Sequence, residues 1–150
     1  LRTVLNELYF NVFDHADAKN NAFSYIYYDE HVHKIYIAVC DYGIGIAASL
    51  RKAYTLNSDG EALQMSLKSG ISAKSQVHNK GFGLDVVISS LGKDNSFRIV
   101  SNKGLLKLKG NTKKPEYYNL DFDFKGTLIY FDLSTDMFPD DEELSTFSFD

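Results

Sequence analysis

The sequence predicts an α+β domain: a two-layer α/β sandwich whose mixed, mostly antiparallel sheet carries helices on one face. Three observations point there. Helical spacing of apolar residues falls mostly in the first two-thirds of the 150-residue chain, and strand-like segments cluster at both ends. Those segments alternate apolar with polar or small residues, as strands do when one face meets a core and the other meets water. The regular strand–helix alternation of a doubly wound parallel sheet is absent.

In chain order, residues 1–18 carry Leu1, Val4, Leu5, Leu8, Val12 and Ala16 at helical spacing, with Tyr9, Phe10 and Phe13 widening the stripe. The polar run Asp17, Lys19, Asn20, Asn21 ends this helix. Residues 22–29 and 34–41, rich in β-branched and aromatic side chains, predict a hairpin around Glu30-His31-Val32-His33. A short helix is expected over 47–54. The turn and cap signal Asn57-Ser58-Asp59-Gly60 opens another over 61–68. Residues 69–80 are polar and aperiodic, long for a connection inside a domain and hence a candidate functional loop. Leu84, Val87, Ile88 and Leu91 then predict a helix over 84–91. Three or four strands follow, from segments at 96–101, 105–109, 117–124 and 127–133. A domain over 1–135 is expected, with 136–150 as an acidic tail or linker containing Asp140, Asp141, Glu142 and Glu143.

Composition narrows the function. The chain is 44% hydrophobic with ten Tyr and eleven Phe, enough apolar surface for one core. A net charge of -4 argues against a nucleic-acid surface as the main purpose. No run approaches the roughly 18 apolar residues of a membrane span, and no signal peptide is evident. Cys40 is the single cysteine, flanked by the strand-like Ile35, Ile37 and Val39, and is read as a core residue in a reducing, cytoplasmic compartment. A first residue Leu1 inside a helical pattern is expected to mark an excised domain, or a processed or partly observed chain.

Three motifs carry chemistry. Glu7, Asn11 and Asp14, followed by His15, project from nearly one face of the opening helix. Polar groups on an otherwise apolar helix are costly unless they meet water, a cation or a ligand; alone, the stripe reads as a solvated face. Asp41-Tyr42-Gly43-Ile44-Gly45 follows an apolar strand. Its carboxylate can accept from an exocyclic amine, and its glycines let backbone approach a flat ring; alone, it is a turn. Lys80-Gly81-Phe82-Gly83-Leu84 stands where a loop enters a helix, a place where backbone N–H groups can meet phosphates. It matches neither the P-loop nor the dinucleotide fingerprint.

In this order and spacing, the three motifs resemble those of the GHKL ATPase superfamily (Bergerat fold), which includes DNA gyrase, histidine kinases and MutL. Glu7 to His15 resembles the N box, Asp41 to Gly45 the G1 box, and Lys80 to Leu84 the G2 box. Gly126-Thr127 resembles the Gly-Thr of the family's final sheet strand. The resemblance spans residues 1–133. It implies an Mg²⁺-dependent ATP site in which Asn11 ligates the metal and Glu7 orients or deprotonates the attacking water. It further implies Asp14 near the nucleotide through water, Asp41 on the adenine amine with help from Thr127, and Gly43 and Gly45 shaping the base pocket. Gly81 and Gly83, with Lys80 and Leu84, would support the lid and the phosphates, and residues 69–80 correspond to that lid, with Lys74, His78 and Lys80 as its cations.

The favoured reading is an ATPase or ATP-gated switch in a larger protein, acting on an adjoining domain or protein partner. One alternative is a protein kinase catalytic domain, of the histidine kinase or the anti-sigma-factor serine kinase type. The other is a nucleotide-binding module without hydrolysis. His31 and His33 alternate to one side of a turn with no third metal ligand evident.

Overall fold

The first hairpin forms where it is expected. In the computed structural model, which describes residues 21–67, 88–112 and 114–137, β1 (Ala22–Asp29) pairs antiparallel with β2 (Lys34–Asp41). The four-residue turn between them ends on His33, whose left-handed φ of 52° lets the chain reverse. The His33 carbonyl accepts from the N–H of Thr135 at 2.8 Å, tying the turn to the end of the last strand.

Two short helices follow. The first, α1 (Ile46–Leu50), is shorter than the expected 47–54. Beyond Leu50 the N–H groups of Lys52 and Ala53 bond three residues back, to Ser49 and Leu50, so the last turn tightens. The second, α2 (Asp59–Ser66), begins two residues earlier than expected. Ser58 Oγ accepts the Glu61 N–H at 3.1 Å, and the Glu61 carboxylate accepts the Asn57 N–H at 2.6 Å. This reciprocal capping moves the helix start upstream of Glu61.

The four expected strand segments of the C-terminal half join into two long ones, β3 (Ser96–Lys109) and β4 (Glu116–Ser134). Fourteen residues of straight strand would span about 45 Å. Yet the Gly110 N–H donates to the Asn95 carbonyl at 2.9 Å, so the two ends of β3 meet. The strand folds back at Asn102, where φ is 51° and the pairing register shifts. Burial changes phase at the same place, from Phe97, Ile99 and Ser101 to Gly104, Leu106 and Leu108. β4 accompanies both legs, pairing 116–119 with the second and 127–131 with the first. The ladder is thus bent rather than broken at the two places where separate strands were expected.

The sheet has the order β1-β2-β4-β3, and each of its described pairings is antiparallel. Its core face is built in cross-strand rows. Ile37, Phe131 and Phe97 form one row, and Val39, Ile129 and Ile99 the next; every one of them is buried. Leu63 of α2 packs on these rows, while Ala62 joins Ala47 and Leu50 of α1 in a second cluster. On the opposite face Tyr27 stacks on Tyr36 and Tyr36 on Tyr130, and the Arg98 guanidinium lies over the Tyr130 ring. Cys40 is buried on that same face, between its register partners Phe23 and Leu128. Ile88 and Leu91 reach the core, whereas residues 84–87 and the expected opening helix lie outside the described residues. No helix among the described residues is long and apolar enough to cross a membrane.

One end of the sheet is closed by an ion pair. Lys34 Nζ donates to Asp132 Oδ2 at 2.8 Å and to the Asp94 carbonyl at 2.7 Å. The other Asp132 oxygen accepts from Ser96 N at 3.1 Å and Ser96 Oγ at 2.6 Å, and Asn95 Nδ2 donates to Oδ2 at 3.3 Å. Burial pushes the Asp132 carboxyl upward, but Lys34, Ser96 and Asn95 together outweigh it, so its pKa lies below the usual value. The same hydrogen bond holds Lys34 above its own usual range, against the opposing effect of burial.

A carboxylate depressed in the folded state contributes stability above its unfolded pKa of about 4, and that stability is lost as pH falls through the depressed value. Asp132→Ala is therefore expected to lower stability by about 1–3 kcal/mol at neutral pH, through buried donors left without an acceptor. Urea unfolding checks this. The gap between wild type and variant should shrink below about pH 4.

Candidate functional site

The apolar rows end in a polar one. At the far end of the sheet, Asp41, Thr127 and Ser101 are successive cross-strand partners, one each from β2, β4 and β3. Their positions continue the parity of the core residues Val39, Ile129 and Ile99, so all three side chains belong to the helix-covered face. All three are buried, Asp41 to 3% exposure.

Asp41 is held by main-chain donors. Its Oδ1 accepts the Gly43 N–H at 2.7 Å, the local bond by which aspartate shapes a turn two residues on. The Thr127 N–H is a second donor. Burial raises the Asp41 pKa, the two N–H groups offset part of that, and the net position is above the usual carboxylate value. An ionised carboxylate offers about four lone-pair sites. These two donors leave it with acceptor capacity.

Ser101 and Asn102, at the fold-back of β3, hold the other side of the Asp41 loop. Ser101 Oγ accepts the Ile46 N–H at 2.8 Å, donates to the Gly126 carbonyl at 2.8 Å, and lies 3.1 Å from Thr127 Oγ1. Asn102 Nδ2 donates to the Ile44 carbonyl at 3.2 Å, while its Oδ1 is buried without a hydrogen-bond partner among the described residues. The N-terminus of α2 joins the same end: the Asp59 carboxylate bonds Arg51 at 2.6 Å and the Lys103 N–H at 2.9 Å.

Two glycines make this packing possible. Gly126, at φ 103°, lies so close to β2 that a Cβ would stand 2.0 Å from the Asp41 carbonyl oxygen. Gly45, at φ 82°, has Asn102 Oδ1 within 2.3 Å and Ser101 Oγ within 2.8 Å of where its Cβ would lie. The freedom of Gly45, expected from sequence to admit a ligand ring, is used here for close approach to β3.

Of the residues predicted for the site, the structure brings together Asp41, Gly43, Gly45 and Thr127. Glu7, Asn11, Asp14, Lys80, Gly81, Gly83 and Leu84 lie outside the described residues, as do His15, Lys74 and His78. Ser101 and Asn102 were missed. Their signal is faint: a polar Ser-Asn pair ending an alternating apolar strand, followed by Lys-Gly. No group of three or more metal-capable side chains occurs among the described residues, which include His31 and His33.

No family model matches the sequence, and no curated protein matches it. Among solved structures, the chain is similar to a topoisomerase IV ATP-binding domain of Francisella tularensis in complex with a small-molecule inhibitor. The identity is 19% and the TM-score 0.49, over 93% of this chain and 38% of that one. That similarity assigns no family.

Gly126→Ala is expected to destabilise the fold by at least about 1–3 kcal/mol from its backbone conformation alone. The clash with the Asp41 carbonyl should add to this. Thermal unfolding measures the loss, and a variant as stable as wild type would contradict the geometry.

Proposed function

We propose that this chain is an Mg²⁺-dependent ATP-binding domain of the GHKL type, serving as an ATPase or ATP-gated switch within a larger protein. The observation that carries it is the buried Asp41. A carboxylate held by two N–H donors at the end of an apolar strand, with acceptor capacity remaining, suits the exocyclic amine of adenine. The same carboxylate repels a base with a carbonyl in place of the amine, which is the basis of selectivity at a buried polar site.

The rest of the proposal is supported by the order and spacing of the sequence motifs. Asn11 would offer an amide oxygen to Mg²⁺, a hard ligand for an ion that takes its other ligands from water and phosphate. The bound ion would neutralise phosphate charge. Glu7 would orient or deprotonate the attacking water, and the glycines at Gly81 and Gly83 would let main-chain N–H groups approach the phosphates. The domain would comprise residues 1–135, with 136–150 as an acidic tail or linker, and would act on a partner or adjoining domain in the cytoplasm.

Calorimetric titration with ATP, with and without Mg²⁺, tests the central claim; no binding at millimolar nucleotide would sink it. Asp41→Asn should weaken ATP binding roughly 10–100-fold, the worth of a hydrogen bond to a charged group. The raised Asp41 pKa sets the pH dependence. Affinity should hold while Asp41 is ionised and fall as pH drops through a value above the ordinary carboxylate range; Asp41→Asn should flatten that limb. Glu7→Ala should abolish turnover and keep ATP binding. A phosphate transferred to a partner protein instead of water would favour the kinase alternative.

A further inference from the structure

The protons along the Asp41–Thr127–Ser101 row can be assigned, and the assignment gives a role to a residue outside all three motifs. A serine hydroxyl has one proton and two lone pairs. The Gly126 carbonyl, 2.8 Å from Ser101 Oγ, has no proton to give, so the Ser101 proton points there. The Ile46 N–H, also at 2.8 Å, occupies one Ser101 lone pair. The 3.1 Å contact between Ser101 Oγ and Thr127 Oγ1 then runs in one direction, from the Thr127 hydroxyl into the second lone pair. With its proton committed, Thr127 offers only lone pairs to any further partner. Asp41, when ionised, also only accepts.

We propose that Ser101 determines base specificity: by holding the Thr127 proton it keeps the Asp41–Thr127 end acceptor-only, which selects a nucleobase with an exocyclic amine over one with a carbonyl there. The proposal rests on the ATP-binding function given above and adds Ser101 to it as a positioning residue, acting through Thr127. Loss of the Ser101 hydroxyl frees Thr127 to rotate and donate. A carbonyl-bearing base then gains a donor that the wild-type row withholds. Selectivity for the amine would therefore rest on two strands, with Asp41 supplying repulsion and Ser101 withholding the compensating donor.

The test is calorimetric titration of the full chain with ATP and with inosine triphosphate, whose base carries a carbonyl in place of the adenine amine. Wild type should prefer ATP. Ser101→Thr, which retains a hydroxyl, should keep that preference. In Ser101→Ala the ratio of the two affinities should fall about tenfold, the worth of one hydrogen bond. A merely structural Ser101 would lower both affinities together, and an unchanged ratio overturns the proposal. Should Ser101→Ala fail to fold, Thr127→Val decides in the Ser101 background. ATP affinity should then fall while inosine triphosphate affinity does not, and equal losses or none would overturn the idea. Absence of ATP binding by wild type sinks the parent function and this role with it. ATP binding with an unchanged ratio sinks this role alone.

Discussion

Thr127 stands opposite Asp41 because β2 and β4 pair in one unbroken register, from Lys34 opposite Ser134 to Asp41 opposite Thr127. The polar end of the sheet depends on that alignment. Side chains alternate faces along a strand, so a slip of one residue would carry Asp41 to the open face or bring Thr127 out of line with it. The apolar rows hold the register: Ile37 and Val39 meet Phe131 and Ile129, and no neighbouring register buries all of them. Core packing therefore fixes the geometry of the candidate site.

The two ends of the sheet use buried carboxylates in opposite ways. Asp132 is surrounded by Lys34, Ser96 and Asn95, which hold its pKa down and spend its acceptor capacity on closing the fold. Asp41 receives two main-chain N–H groups and no cation among the described residues, and burial leaves its pKa raised. A carboxylate neutralised by a nearby ammonium has little left to offer a ligand. One held only by neutral donors keeps much of its capacity, at a cost in stability that a bound donor would relieve. Perturbed carboxylates of the second kind are the ones that tend to mark sites.

The Asp41 loop is positioned from behind by β3. Ser101 holds Ile46 and Gly126, Asn102 holds Ile44, and Gly45 and Gly126 remove the side chains that would otherwise keep these strands apart. The fold-back at Asn102 makes this possible, because it ends the first leg of β3 level with Asp41. Asn102 tolerates its left-handed backbone as asparagine commonly does, and its side chain is then free to bond the adjacent loop.

Local features of the sequence determined much of this chain. Alternation and turn chemistry placed β1, β2 and the His33 turn, and the Asn57-Ser58-Asp59-Gly60 signal announced the start of α2 to within two residues. The Asp41-x-Gly-x-Gly motif drew attention to Asp41, and the structure buries that carboxylate at the end of β2. Tertiary structure alone decided the rest. Whether 96–101 and 105–109 are separate strands or one bent ladder depends on hydrogen bonds from β4, which no local pattern encodes. Ser101 and Asn102 were invisible for the same reason. A serine and an asparagine near a turn are ordinary, and become significant only when pairing sets them against residues 44–46 and 126–127, dozens of positions away. Sequence determines which groups are available; register and close approach decide which of them meet.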